Sequence, residues 1–449
     1  MPVLAAPESR TPGAKLMLAV LIAGLLAIPL FATYLLIFDR ESQSQTAEQS
    51  IVAGWGGAQH VAAPLLVIPY STTATVNATD NGAAVTRTST VWHQLSIAPD
   101  AADLATALAP ERRRRSIYDA VVYQATLTGK ARYSLPADLA RLGIARDALA
   151  LDRAELRFDV GDARGLVGAP PAIRADGVKL ALQPGFGGDT ETPGFHAWID
   201  ASALAARPIA VDFAYRLRGS QSLALIPRGG DTRWRLISPW PSPGFAGAFL
   251  PIEHKVSANG FTATWRIGNL ALGSALASTT APKADPAQVA EVDLVTPVDL
   301  YSEINRSVKY GFLFIGFTFL MFWLFDVVGG VAVATVEYLL AGAGLVLFFV
   351  MLLAFAEVIG FALAYLVAAG AIVGLLAAYS AAALASRKRA ALVAALLAAL
   401  YAVLYVLLGL EAYSLLIGSL LLFAGLAATM WLTRAIDWQG AARYDRGGA

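Results

Sequence analysis

The stretch Leu16-Met-Leu-Ala-Val-Leu-Ile-Ala-Gly-Leu-Leu-Ala-Ile-Pro-Leu-Phe-Ala-Thr-Tyr-Leu-Leu-Ile-Phe38 carries no charged residue. As a helix it is long enough to cross the roughly 30 Å hydrocarbon core of a bilayer. Five more apolar segments crowd the last third of the chain, at 311–328, 338–356, 358–385, 390–408 and 412–433. None shows the alternation of a membrane strand, so only helices satisfy their backbone groups in lipid. The expected fold is an α-helical membrane bundle of six spans plus a large, mainly antiparallel β domain of sandwich type. This divides the chain into an amino-terminal segment (1–15), a signal-anchor helix (16–38), a β-rich domain (39–308), a five-helix bundle (309–433) and a tail (434–449).

Basic residues orient the chain, because short cytoplasmic loops are enriched in Lys and Arg. Arg10 and Lys15 precede the first span, Arg387, Lys388 and Arg389 separate the fourth from the fifth, and Arg434, Arg443 and Arg446 follow the sixth. With six crossings these regions share one side, while the turns at Glu357 and 409–411 hold no Lys or Arg. Both termini are expected in the cytoplasm, with residues 39–308 outside it. The first apolar run exceeds the core of a signal peptide, and no small-x-small site follows it before Asp39, so an uncleaved anchor is expected. Pro29 is expected to loosen or bend that helix through local packing.

Composition narrows the function. Apolar residues make up 57% of the 449, charged residues 15%, and the net charge is +1. That balance gives no electrostatic case for nucleic acid. The chain has no cysteine, which excludes disulfides, a thiol nucleophile and any cysteine-ligated metal.

Between the first two spans the pattern changes to period two. Ile209, Val211, Phe213, Tyr215 and Leu217 alternate with Ala210, Asp212, Ala214 and Arg216. Residues 154–160 and 261–267 alternate in the same way. One apolar and one polar face mean half-buried antiparallel strands. Further strands are expected at 65–70, 85–97, 118–133, 178–183, 222–227 and 234–238, separated by Gly, Pro and Asp clusters. Many short strands with such punctuation suggest the sandwich, as one body or as two halves dividing near 146–151. The first helix should run on over 41–55 until Gly56-Gly57. Single helical turns are expected at 138–142 and 202–206, a loop at 278–300, and a helical lead-in at 301–309.

Several stretches together resemble the CreD (Cet) family of inner-membrane proteins of Gram-negative bacteria, over nearly the whole length. They are Trp55-Gly-Gly-Ala-Gln-His-Val-Ala-Ala-Pro-Leu-Leu-Val-Ile-Pro-Tyr70, Arg115-Ser-Ile-Tyr-Asp-Ala-Val-Val-Tyr123, Asp162-Ala-Arg-Gly-Leu166 and Ser238-Pro-Trp-Pro-Ser-Pro-Gly-Phe245. Val298-Asp-Leu-Tyr301, Arg306-Ser-Val-Lys-Tyr310, Leu408-Gly-Leu-Glu-Ala-Tyr-Ser-Leu-Leu-Ile-Gly-Ser419 and Leu432-Thr-Arg-Ala-Ile-Asp-Trp438 follow in order. The chain departs from the family pattern at Ser242 and Gly244, where a His and a Ser are expected. The resemblance implies a role in envelope integrity, colicin tolerance and β-lactam response under a two-component regulator, with the β domain in the periplasm. It brings no biochemical activity with it.

The residues themselves are weak candidates for catalysis. His60, His93, His196 and His254 have no metal-ligand spacing, and no Gly-x-Ser-x-Gly occurs. No cofactor, metal or catalytic residue is expected. Asp162 and Arg164 sit in a turn after a strand, where a buried Arg holding the turn is the simpler reading and carboxylate or phosphate recognition the sharper one. The run from Arg112 to Arg115 suits a solvated loop, or contact with anionic headgroups. Trp240 and Phe245, stiffened by Pro241 and Pro243, suit a plug over the end of the sheets or a binding lip. Asp326, Glu337, Glu357 and Glu411 all fall near span ends, which disfavours ion-coupled transport. Gly370 and Gly374 lie one turn apart and favour close packing within the bundle over a homodimer.

The expected function is a non-enzymatic envelope-integrity protein anchored in the lipid bilayer. Asp162, Arg164, Trp240 and Phe245 are its candidate contacts with an envelope protein or a cell-wall or lipid component. A transport or lipid-handling protein using the β domain as substrate receiver is the alternative.

Overall fold

The computed structural model describes residues 12–80, 83–115, 118–187, 193–280, 287–295, 300–327, 335–383, 387–409 and 414–434. Arg10, Glu411, Arg443 and Arg446 lie outside the described residues, as do the side chains of Arg115 and Asp326. The chain forms two compact units, one of residues 1–45 with 298–449 and one of residues 46–297.

The helices are α1 (Pro12–Trp55), α2 (Asn269–Leu272), α3 (Leu300–Lys309), α4 (Gly311–Val327), α5 (Thr335–Ile359), α6 (Phe361–Ala383), α7 (Arg387–Gly409) and α8 (Ser414–Thr433). Six helical stretches are long and apolar enough to cross a membrane, and they fall where the hydrophobic runs predict. α5 is the central one, with 56% of its apolar window buried against 11% for α8. Its Phe348 and Phe349 are fully buried, and Phe348 packs edge-on against Tyr365 and Tyr401. Gly342 of α5 lets α1 approach closely, since a Cβ there would meet Leu26 and Phe319. The Gly370 and Gly374 seam differs from expectation. Both glycines are exposed with nothing within 4 Å of an added Cβ, so among the described residues nothing packs on their face of α6. α1 runs unbroken through Pro29, whose carbonyl accepts a 2.9 Å bond from the Thr33 hydroxyl.

The second unit is built on strands. They are β1 (Gln59–Ala62), β2 (Leu65–Asp80), β3 (Ala83–Ile97), β4 (Ala101–Arg115), β5 (Tyr118–Tyr133) and β6 (Ala154–Asp159). Next come β7 (Ala172–Ala175), β8 (Val178–Lys179), β9 (Leu182–Pro184), β10 (Gly194–Ile199), β11 (Ile209–Ser220) and β12 (Ser222–Ile226). β13 (Asp231–Ser238), β14 (Pro243–Gly247), β15 (Glu253–Ser257), β16 (Gly260–Gly268), β17 (Ala277–Ser278) and β18 (Ala290–Leu294) complete them. They pair into three sheets, ordered β1-β12-β18-β14, β17-β3-β2-β6-β10-β9 and β15-β16-β13-β4-β5-β11-β7-β8. Pairing is antiparallel except for β1 with β12 and β13 with β4.

The period-two pattern does what it predicts. In β11 every second side chain from Ile209 to Leu217 is buried. All three sheets contribute to one apolar cluster, from Leu223 and Val292 through Leu66 and Phe158 to Trp234 and Trp265. The unit is therefore one body, and residues 146–153 form two short 3-10 turns rather than a boundary. Trp234 and Trp265 stack at 4.5 Å, fully buried, on neighbouring strands. Truncating either would cost about 3–5 kcal/mol.

Three expectations are corrected here. The basic run is not a solvated loop, because Arg112, Arg113 and Arg114 are part of β4. Pro110 is tolerated there because β13 pairs with β4 only as far as Ala107, leaving one side of the strand free. The expected loop at 278–300 holds strand β18, and the aromatic–proline loop holds β14, its antiparallel partner.

Candidate functional site

The end of α1 organises the site. Gly56 ends the helix at φ +126°, and a Cβ there would lie 2.9 Å from the Arg218 carbonyl oxygen, so the position requires glycine. Trp55, the last helical residue, lies between two guanidinium groups, Arg218 at 4.1 Å and Arg113 at 4.4 Å from its ring. Its indole donates to the Tyr123 carbonyl at 3.2 Å. Tyr123 is fully buried and donates to the Ser222 carbonyl at 2.6 Å, and burial raises its pKa.

Gln59 joins the parts. It is 2% exposed, and its amide nitrogen donates to the carbonyls of Arg218 (2.9 Å) and Asp162 (3.3 Å). Its amide oxygen accepts from the Asp162 backbone N–H at 2.9 Å. One planar amide thus fastens the turn after β6 to β11, using donor and acceptor together. Gly165 allows the approach, because a Cβ there would lie 2.5 Å from the Arg218 carbonyl oxygen.

Asp162 caps the 3-10 turn Ala163–Gly165, accepting from the Arg164 N–H at 2.9 Å. The same carboxylate holds the Arg164 guanidinium, with Nη2 at 2.8 Å and Nε at 3.0 Å. The hydrogen bond from Arg164 is the chief reason Asp162 titrates below its ordinary value. Arg164 is not the buried residue expected. Its side chain is 82% exposed and, among the described residues, is held to the turn by Asp162. Its outer edge remains turned to solvent.

Asp162 and Arg164 form part of the wall of a cavity of about 650 Å³, with Gln49 and Val52 of α1, Gly57 and Gly185. Trp240 and Phe245 are not in that wall. Trp240 is half-buried, donates its indole N–H to the Val295 carbonyl at 3.1 Å and lies 5.9 Å beneath Arg112. Phe245 packs edge-on against Phe261 and Trp265. Both rings pack on the core. Among the described residues no group of three His, Cys, Asp or Glu side chains could hold a metal ion. The histidines are dispersed. His93 bonds Thr72, His254 tilts against Phe245, and His196 is buried with Nδ1 donating to the Gly185 carbonyl at 2.6 Å.

The family model for inner membrane protein CreD matches residues 11–439. Inner membrane protein CreD of Escherichia coli (strain K12) is 31% identical over 420 residues, covering 92% of this chain and 91% of that protein. The chain belongs to the CreD family. Its six apolar helices accord with residence in the inner membrane. Within this CreD-family fold, three of the stretches that carry the resemblance meet at one place. Trp55 and Gln59 come from the first, Tyr123 from the second, and Asp162 with Gly165 from the third. Sequence reasoning selected Asp162 and Arg164 but missed Trp55, Gln59 and Arg218. Only the three-dimensional arrangement of β1, β5 and β11 shows that Gln59 and the Arg218 backbone meet the turn and that Trp55 lies against Arg218.

Proposed function

We propose that this CreD-family protein is a non-enzymatic envelope-integrity protein whose β-rich unit lies in the periplasm and binds an envelope component or partner. The cavity beside the Asp162–Arg164 turn carries this reading. It is large enough for a small ligand group, and Arg164 presents the free edge of a planar fork suited to carboxylate or phosphate. The six helices anchor the unit. Their packed interior is built mainly of apolar residues such as Leu345, Phe348, Leu352, Leu397 and Leu404, which suits an anchor. Trp240 and Phe245 are proposed as structural support for the neighbouring surface, with Trp240 also available for contact.

The test uses the full-length protein in cells. Photo-crosslinking from Gln49 should trap an envelope component, and Arg164→Gln should abolish that product while protein abundance is unchanged. An undiminished product in Arg164→Gln rejects the cavity as the site.

One observation favours lipid handling as a second reading. An apolar cavity of about 660 Å³ lies between α4, α7 and α8, bordered by Phe317, Met321, Leu396, Leu400 and Leu421. Bulky substitution of Leu400 should disturb envelope tolerance under this reading and leave it intact under the anchor reading.

A further inference from the structure

The start of β2, the end of β3, the connection from β12 to β13 and the segment from α2 to β17 enclose a cavity of about 370 Å³. All of these elements belong to the unit of residues 46–297. The cavity shares no lining residue with the one at Arg164. Its volume lies in the range of small-molecule sites.

The main chain holds this wall in place. Ser96 of β3 is paired on both sides, with Val67 of β2 and Ser278 of β17. The Ala98 N–H donates to the Leu276 carbonyl at 2.7 Å. Asn269 donates its N–H to the Gly230 carbonyl at 3.2 Å, and its own carbonyl accepts from the Ser274 N–H at 3.3 Å. Gly229 takes φ +127° in the turn after β12, where a Cβ would lie 2.8 Å from the Pro99 carbonyl oxygen, so the turn requires glycine.

Polar side chains line the cavity without using their hydrogen-bonding capacity inside the fold. Ser96 is 5% exposed, and among the described residues its hydroxyl has no hydrogen-bond partner. A hydroxyl buried in that state is destabilising unless a water or a ligand meets it. Asn269 is half-buried, and its side-chain amide has no partner among the described residues either. Leu65, Ile226 and Leu276 supply the apolar part of the wall. Charge narrows the ligand. Arg228 is the one charged residue lining the cavity among the described residues, and Asp159 of β6 already neutralises its guanidinium. An anion would have to compete with Asp159 and would find no net charge to attract it. An uncharged amide is matched instead. Its carbonyl accepts from the Ser96 hydroxyl, its N–H donates to the Asn269 amide oxygen, and its acyl carbons meet the apolar wall.

We propose that this cavity binds an uncharged secondary amide, the group shared by peptide backbones and N-acylated sugars, with Ser96 and Asn269 as its hydrogen-bond partners. The proposal does not rest on the cavity at Arg164, so the two fail separately.

Full-length protein in nanodiscs is titrated with N-acetylalanine N-methylamide, as the peptide probe, and with N-acetylglucosamine, as the sugar probe, and binding is read by saturation-transfer NMR. At least one should bind, and the tighter of the two identifies the source of the amide. Glucose and acetate, which lack the amide, should not bind. Ser96→Ala with Asn269→Leu should weaken binding about tenfold at an unchanged melting temperature. Ala275→Trp fills the cavity from an exposed position of its wall and should abolish binding without disturbing the core. Failure of both amide probes at millimolar concentration overturns the proposal, as does binding that is undiminished in Ala275→Trp or in the double substitution. Tighter binding of acetate than of either amide overturns the assignment to an uncharged ligand.

Discussion

At the scale of single residues, close approach governs the end of α1. Gly165→Ala places a methyl group against the Arg218 carbonyl and the Gln59 amide. Backbone cannot yield there as a side chain would, so the substitution should cost about 1–3 kcal/mol in a thermal melt of the full protein. An unchanged melt would mean that the turn is not fastened to β11. His60 gives a test of the opposite kind, through pH. Burial lowers its pKa, with Arg228 acting in the same sense and Asp159 against it. The unfolded chain takes up a proton near pH 6.5, while the folded chain resists until lower pH. Stability is whole above the unfolded value and falls as pH drops through it toward the folded one. The melting temperature should decline between about pH 7 and pH 5, and His60→Gln should flatten that slope. Of this neighbourhood, the sequence makes Asp162 and Arg164 visible because charge in a Gly-closed turn stands out. Gln59 and Trp55 are silent in one dimension. Their roles arise from contacts with residues as far off as Arg218.

Whole elements were legible where one periodicity dominates. The six apolar runs mark the long helices, and β6, β11 and β16 follow from strict alternation, because burial on one face selects those residues. β4 escaped notice because Ala101 to Ala109 is alanine-rich, and its polar end reads as solvent-facing on either a strand or a loop. β14 and β18 are hidden for another reason, since each spans five residues and becomes a strand by tertiary pairing, β14 opening on Pro243 at the sheet edge and β18 lying between it and β12. Small residues in helices show the same limit. Gly342 and the pair Gly370 and Gly374 look alike in sequence, yet only Gly342 has a neighbour, with Leu26 of α1 close to an added Cβ. Gly342→Ile should therefore reduce membrane abundance by loosening α1 from α5. Gly370→Ile should leave the monomer as abundant as before, measured by quantitative blotting of membranes. Equal losses from both would mean that the open face of α6 is covered by another molecule.

For the molecule as a whole, the direction of insertion decides which compartment the β-rich unit samples. Family membership assigns the membrane, while orientation rests on Lys and Arg around the spans. Lys15 precedes the first apolar run and Arg387, Lys388 and Arg389 lie at the start of α7, an even number of crossings apart, whereas the β-rich unit is one crossing from Lys15. Basic residues resist translocation and are retained on the side of synthesis, which is the argument for the proposed export of the unit between the first two spans. Single cysteines test this without background in a chain that has none. Val178→Cys, at an exposed site on β8, should react with a membrane-impermeant maleimide in cells whose outer membrane is permeabilised. Lys388→Cys should react only after the inner membrane is opened. The reverse pattern would place the Asp162–Arg164 cavity in the cytoplasm and remove the periplasmic partner from consideration.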